Sequence, residues 1–190
     1  MKNTYTKAMK QLFVGNSSPA LVLLRQVLVA VLWVSAVSVL GQMLTDLGPW
    51  YRGLRQPDWK PPDWAFGVIW TSIFALIVIA GVMAWRRTVT GAQRVQLIAL
   101  FGINSMLHVL WSFLFFTAKR PDWSMWEIPL LWLSIVALIV TIWRLSKFAS
   151  LLLLPYLIWV TIAAFLNYAN VELNGPFDRP VVSEPRVTPS

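Results

Sequence analysis

Residues 64–85 read WAFGVIWTSIFALIVIAGVMAW, 22 residues without one charged side chain and with a tryptophan at either end. A helix needs about 20 apolar residues to cross the hydrocarbon core of a bilayer. A helix of a soluble protein would show a polar face within that length, and this stretch has none. It therefore reads as a membrane span. Three further charge-free runs agree with it: 20 residues over 26–45, 24 over 95–118 and 24 over 148–171. A fifth, 128–143, has 16, and reaches 21 when extended back to Trp123 so as to include Glu127. The expectation is an all-α integral membrane protein, a five-transmembrane-helix bundle with helices at about 26–45, 64–85, 95–118, 123–143 and 148–171. Lysines precede the first run and small residues follow it, as in a signal peptide. It is longer than the usual apolar region of about 7–15 residues, so it is read as a retained span.

Composition narrows the chemistry. The chain is 57% hydrophobic and 13% charged, well away from a soluble domain. It has no cysteine and a single histidine, His108, which excludes thiol chemistry and a multi-histidine metal site within one chain. No nucleophile–base pair, no paired carboxylates within a span and no glycine-rich loop are present, so no hydrolytic or redox-cofactor constellation is expected. The formal charge of +8 is spread singly or in pairs between apolar runs. That pattern suits a membrane surface and its lipid, and not a nucleic acid, which wants a basic stripe.

Charge also predicts orientation. Lys2, Lys7, Lys10, Arg25, Arg86, Arg87, Arg94, Arg144 and Lys147 fall on the N-terminal side with no acidic residue; all eight acids share the other side with seven basic residues. The richer side, with its two short basic connections, is expected in the cytoplasm and the C-terminus on the opposite side. Residues 1–20 read as a basic cytoplasmic tail and 21–174 as the membrane domain. Residues 46–63 form the longest loop, while the short connections at 86–94, 119–122 and 144–147 predict antiparallel packing of sequential helices. Residues 175–190, with Pro176, Pro180, Pro185 and Pro189, read as a disordered tail.

Pro-Asp-Trp occurs at 57–59, 62–64 and 121–123. The last two precede helices, where aspartate can cap orphan N–H groups and tryptophan suits the headgroup level. Other aromatics lie deeper. Phe66, Trp70 and Phe74 share one face of the second span. Asn104, His108, Trp111 and Phe115 share one in the third, and Tyr156, Trp159, Ala163, Asn167, Asn170 and Asn174 one in the fifth. Amides and an imidazole face away from lipid. Two readings fit these stripes. They are ordinary interhelical packing with Asn and His as hydrogen-bonding glue, or they converge on an aromatic hollow beneath the 46–63 loop that accepts a flat ligand with polar edges. Glu127 reads as an interface residue or a partner of the helix dipole, or else as a helper of that hollow. No two glycines lie four apart, and Ala80 and Ala84 stand in as the small pair of a dimer motif.

The segments LRQPDWKPPDWAFGVIW, HVLWSFLFF and LLLPYLIWVTIAAFLNYANVELN closely resemble the TspO/translocator-protein (tryptophan-rich sensory protein) family, in matching order over about residues 27–174. The resemblance implies a membrane receptor- or transporter-like protein, often a homodimer, that binds porphyrins such as protoporphyrin IX or haem in its helix bundle. No obligatory cofactor is implied; the porphyrin is the ligand, and the envelope membrane is the expected location in a bacterium. Residue by residue, Tyr51 matches the loop tyrosine that reaches over the pocket, and Asn104, Trp111 and Ala163 match pocket positions. Trp70 and Trp159 match the tryptophans implicated in light-dependent porphyrin breakdown. An enzyme using them on bound porphyrin is the alternative function, with Trp70 and Trp159 as its catalytic candidates. Two departures stand out. His108 replaces the usual asparagine, either as a hydrogen-bonding substitute or as a ligand of haem iron. Glu172 stands where the family's sterol pattern wants Lys or Arg, which counts against sterol binding.

Overall fold

The computed structural model describes residues 18–177. The calls for a basic tail at 1–20 and a disordered tail at 175–190 therefore fall largely outside the described residues. Among the described residues seven helices are formed: α1 (Pro19–Leu44), α2 (Pro49–Gly53), α3 (Asp63–Arg87), α4 (Gly91–Ser112), α5 (Pro121–Trp143), α6 (Lys147–Leu151) and α7 (Leu154–Asn174). A π-helical turn, Phe113–Thr117, extends α4. The five spans are α1, α3, α4 with its π-turn, α5, and α6 running into α7. They make the chain an integral, multi-pass membrane protein. The short α2 lies in the loop between α1 and α3.

Local chemistry sets the helix ends. α1 starts at Pro19 rather than near residue 26, because Ser18 Oγ accepts from the Leu21 N–H and Pro19 needs no donor at that position. Arg25 thus lies within the helix, one turn and a half from its start. Thr90 and Gln93 form a reciprocal capping box at α4. Pro155 has no N–H to give, and the last span accordingly breaks at Leu152 and Leu153 before α7 begins. The expected aspartate caps are not formed. Pro62 and Arg120 occupy the cap positions, and Asp63 and Asp122 sit in the first turns. Each instead pairs with a base just upstream, Asp63 with Lys60 and Asp122 with Arg120, while still meeting the positive end of its helix.

The helices close into a ring. α3 packs on α1, α1 on α4, α4 on α5, α5 on α7, and α6 returns to α3. Sequential helices are antiparallel neighbours except for α3 and α4, whose backbones stay apart despite the tight turn at 88–90. Large side chains lie between them, Trp70 and Phe74 against His108 and the Phe101 ring toward Gly81. α5 is the most enclosed span and α1 the least, with Gly41 its one buried residue. Two cores stack along the bundle. One gathers Ile73, Leu107, Ile128, Leu131, Ile135 and Val160 around Tyr156 and Trp159. The other gathers Ala80, Ala84, Leu97, Leu138, Ile142, Ala149 and Leu153. Ala80 and Ala84 are wholly buried there. They let helices approach inside one chain, and are not a dimer-facing pair.

The tryptophans divide by depth. Trp59, Trp64, Trp123 and Trp126 are exposed near the helix ends that adjoin the 46–63 loop and the 119–122 turn, where indole suits the headgroups. Within the spans, Trp33 Nε1 donates to Ser105 Oγ and Trp132 Nε1 to Thr161 Oγ1, both at 3.0 Å. These bonds tie α1 to α4 and α5 to α7 where no water is available to satisfy an indole.

Candidate functional site

The three aromatic stripes do meet. Trp70 of α3 packs edge-on against His108 of α4, ring centroids 4.6 Å apart, and against Tyr156 of α7 at 6.1 Å. It also stacks on Phe74 at 5.5 Å. Phe66, one turn before Trp70, meets Trp159 of α7 at 5.4 Å. Side chains rather than backbones therefore join α3 to α7. Trp159, Tyr156, Asn104 and His108 are buried, and Trp70 and Trp111 half-buried. None of the three tryptophans on the stripes is turned out into lipid.

A second layer lies above the first, against the loop. The π-turn donates Ala118 N–H to Phe113 O, five residues back, and its wider pitch keeps Trp111, Phe115 and Phe116 in mutual contact. Trp50 and Tyr51 of α2 pack onto Phe115 and Phe116, at 6.2 and 5.7 Å. The loop is thus a roof set on aromatic supports. It is also clasped at its far side: Arg55 N–H donates to Asn174 Oδ1 at 2.7 Å, and Asn174 Nδ2 donates back to Arg55 O at 2.9 Å. Thr117 Oγ1 donates to Leu44 O at 3.0 Å and fixes the loop's origin.

Polar side chains in the bundle do two different things. Asn104 Nδ2 donates to Ser134 Oγ at 2.8 Å, and its Oδ1 accepts from Tyr156 OH at 3.3 Å. That chain links α4, α5 and α7 behind the rings and fixes the Tyr156 ring against Trp70. Asn167 is paired with Ser124 at 2.9 Å, and with its amide in the orientation that satisfies both ends it also accepts from Met125 N–H and donates to Pro121 O. Asn167 therefore ties α7 to the start of α5. Ala163 packs beside the upper core and contributes space. In contrast, Trp111 Nε1 is buried with no partner, as are both amide atoms of Gln56 in the loop, Asn170 Oδ1, and both carboxylate oxygens of Glu127. Glu127, 5% exposed, is neither an interface residue nor a helix-end partner. It points into the bundle, because Ser124, Glu127, Ile128 and Leu131 share the buried face of α5.

The sequence reading passed over Lys60. Its ammonium pairs with Asp63 and lies 5.8 Å from the Tyr51 ring centre and 5.6 Å from that of Phe66, bridging the two layers at the mouth. Burial works against the Lys60 charge, but the hydrogen bond to Asp63 and the neighbouring Tyr51 raise its pKa overall. Partial burial pushes the Tyr51 phenol up, against the pull of Lys60. At neutral pH the mouth therefore holds the Lys60 ammonium, paired with Asp63, above neutral rings. The signal was present in the spacing, since Lys60 stands three residues before Asp63 and adjoins the helix that carries Phe66.

His108 sits as a wall residue. Its ring faces Trp70 and Phe74, and its Nε2 edge is directed at α1, where a side chain on Gly41 would meet Nε2 at 3.7 Å and Ser112 Oγ at 3.8 Å. Backbone of α1 thus occupies the space beside Nε2. Among the described residues no three His, Asp or Glu gather as a metal site.

Comparison with known proteins agrees with this architecture. The family model described as TspO/MBR family matches residues 27–172. The chain is 38% identical to the tryptophan-rich protein TspO of Archaeoglobus fulgidus over 148 residues, 77% of this chain and 95% of that protein. It is 33% identical to Protein CrtK of Rhodobacter capsulatus over 134 residues, 70% of this chain and 83% of that one. The pig (Sus scrofa) translocator protein is 31% identical over 137 residues, 72% and 79% of the two chains. With this match over most of its length, five spans in sequence and its aromatic stripes converging within the bundle, the chain belongs to the TspO/MBR family.

Proposed function

We propose that the chain binds a flat tetrapyrrole, a protoporphyrin or haem-like ligand, between the two aromatic layers beneath the α2 roof. One observation carries this reading. Rings from three helices converge on Trp70, and in the layer above, where Trp50 and Tyr51 of the loop rest on Phe115 and Phe116, the Trp111 indole N–H is buried without an acceptor. Burying an indole donor unpaired costs about 1–3 kcal/mol, and both other mid-span indoles whose bonds are described above have hydroxyl partners. A ligand acceptor would recover that cost. Aromatic walls suit the macrocycle, and Lys60 at the mouth suits a peripheral carboxylate.

The rings now touch one another, so entry requires them to part and the roof to lift. The Asn174–Arg55 clasp and the Tyr51–Phe116 contact are what must yield. Handling of the ligand by capture and release, as in sensing or transport, follows from a gate of this kind.

Titrating the purified full-length protein with protoporphyrin IX, while following tryptophan fluorescence, tests the proposal. Saturable quenching that weakens in Trp111→Phe and Trp70→Leu supports it; linear, unsaturable quenching identical in all three proteins rejects it. Illumination of the complex separates binding from breakdown. Bleaching to a new product that Trp70→Phe or Trp159→Phe prevents would make the chain an enzyme, whereas bleaching at the rate of free porphyrin leaves binding alone.

A further inference from the structure

A recess of about 460 Å³ lies between α1, α3 and α4, running from Ile77 below the ring cluster toward Arg25 at the N-terminal end of the bundle. We propose that it holds an acyl chain of an anionic phospholipid from the leaflet on that side, with the lipid headgroup at Arg25 and Gln26.

The recess has a structural cause. α3 and α4 stand apart, and the Trp33–Ser105 hydrogen bond holds α1 across the opening. Gly81 contributes no side chain; a Cβ there would meet the Phe101 ring at 3.5 Å and project into the space. The walls are Val29, Ala30, Ile77, Val78, Gly81 and Phe101, with Arg25 and Gln26 at one end. Its volume is in the range of small-molecule sites, roughly 300–1,000 Å³. Every lining residue belongs to a membrane-spanning helix, so an occupant arrives from the bilayer and not from water.

The polar end selects the headgroup. Gln26 Oε1 is buried and accepts no hydrogen bond, so the missing partner is a donor such as a glycerol hydroxyl. No carboxylate pairs with Arg25 among the described residues, and an anionic phosphate would complete it. A second copy of the chain would serve poorly. All eight acids lie in the opposite half of the bundle or beyond it, so a parallel copy brings no carboxylate to Arg25 and an isologous one brings a second Arg25.

The test uses full-length protein stripped of lipid in mild detergent, with native mass spectrometry to count bound dioleoylphosphatidylglycerol or dioleoylphosphatidylcholine. The wild type should take up its first phosphatidylglycerol about five- to ten-fold more tightly than phosphatidylcholine, the effect of one well-placed basic residue. Arg25→Gln should abolish that preference. Ala30→Phe, which fills the recess, should remove the first tight lipid of either type. Gly81→Leu fills it from the opposite wall, so the reasoning is still tested if one variant fails to fold. Equal affinity for the two lipids in the wild type would overturn the proposal. So would a preference that survives Arg25→Gln, or tight binding that survives both filling variants. A lipid-free dimer that dissociates in Ala30→Phe would reassign the recess to a second copy.

Discussion

Asn174→Ala should loosen the roof without unfolding the bundle. The side chain makes two hydrogen bonds with the Arg55 backbone, at 2.7 and 2.9 Å. Arg55 is exposed, so its freed N–H and C=O gain water and no buried group is left stranded. Each bond then counts at its net value, and the pair at about 1–3 kcal/mol. That corresponds to a roughly 5- to 150-fold rise in the population with this part of the loop released. The third bond of Asn174, to Asn170 O at 2.9 Å, lies within α7 and does not hold the loop. Hydrogen exchange at the Arg55 amide reads the effect directly, because that N–H is itself one of the two bonds. Exchange there should accelerate by that factor while amides of the Leu131–Leu138 core do not change. Porphyrin on- and off-rates should both rise, with the dissociation constant moving less than either. If Arg55 exchange is unaltered, the clasp does not hold the roof, and the gating argument fails whatever the ligand.

Lys60→Met keeps the apolar stem and removes the charge at the mouth. It should weaken protoporphyrin IX about five-fold or more by losing a charge-assisted contact, while an esterified porphyrin binds both proteins alike in the same fluorescence titration. Lys119 has φ +55°, a left-handed conformation that costs a side-chain-bearing residue about 1–2 kcal/mol; Lys119→Gly should raise the thermal midpoint by a few degrees, and a fall would show that Lys119 makes a contact worth more than the strain. Glu127→Gln removes a carboxylate with no donor in reach, so stability in detergent should hold or rise by about 1–3 kcal/mol, and a clear loss by thermal or denaturant unfolding would mean that Glu127 has a partner in the bilayer. His108→Asn should leave the haem absorption spectrum unchanged, since the Nε2 edge faces the α1 backbone; an iron-specific band that vanishes in the variant would reverse that reading.

The five spans were legible because charge-free length is a one-dimensional property, written in the chain and read without knowing any neighbour. Stripe membership was legible for the same reason: Phe66, Trp70 and Phe74 recur every four residues, which fixes a face in any α-helix. What a face meets is a matter of the third dimension. Asn167 and Trp111 looked equivalent as polar and aromatic members of inward stripes, yet one ends in a satisfied α5–α7 tie and the other in an unpaired N–H. Ala80 and Ala84 signalled close approach correctly, but small residues do not say whether the approaching helix belongs to the same chain. Lys60 and the Arg55–Asn174 clasp depend on how the loop folds back, and in the second case join residues 119 positions apart. No periodicity reports such a pairing.

One gradient along α3 accounts for both ends of the bundle. Its inward side chains run from Phe66, Trp70 and Phe74 to Ile77, Val78 and Gly81, from bulky to absent. At the aromatic end the rings fill the gap between α3 and its partners α4 and α7, and they set the width of that gap. Helix axes are stiff over this length, so the same width persists where the side chains are small, and the recess beside Arg25 is what remains unfilled. The ring cluster and the recess are then two consequences of one separation. Were the proposed tetrapyrrole to part Trp70 from His108, α3 would shift against α4, the same two helices that an acyl chain beside Gly81 would prop, and occupancy of one end would then alter affinity at the other.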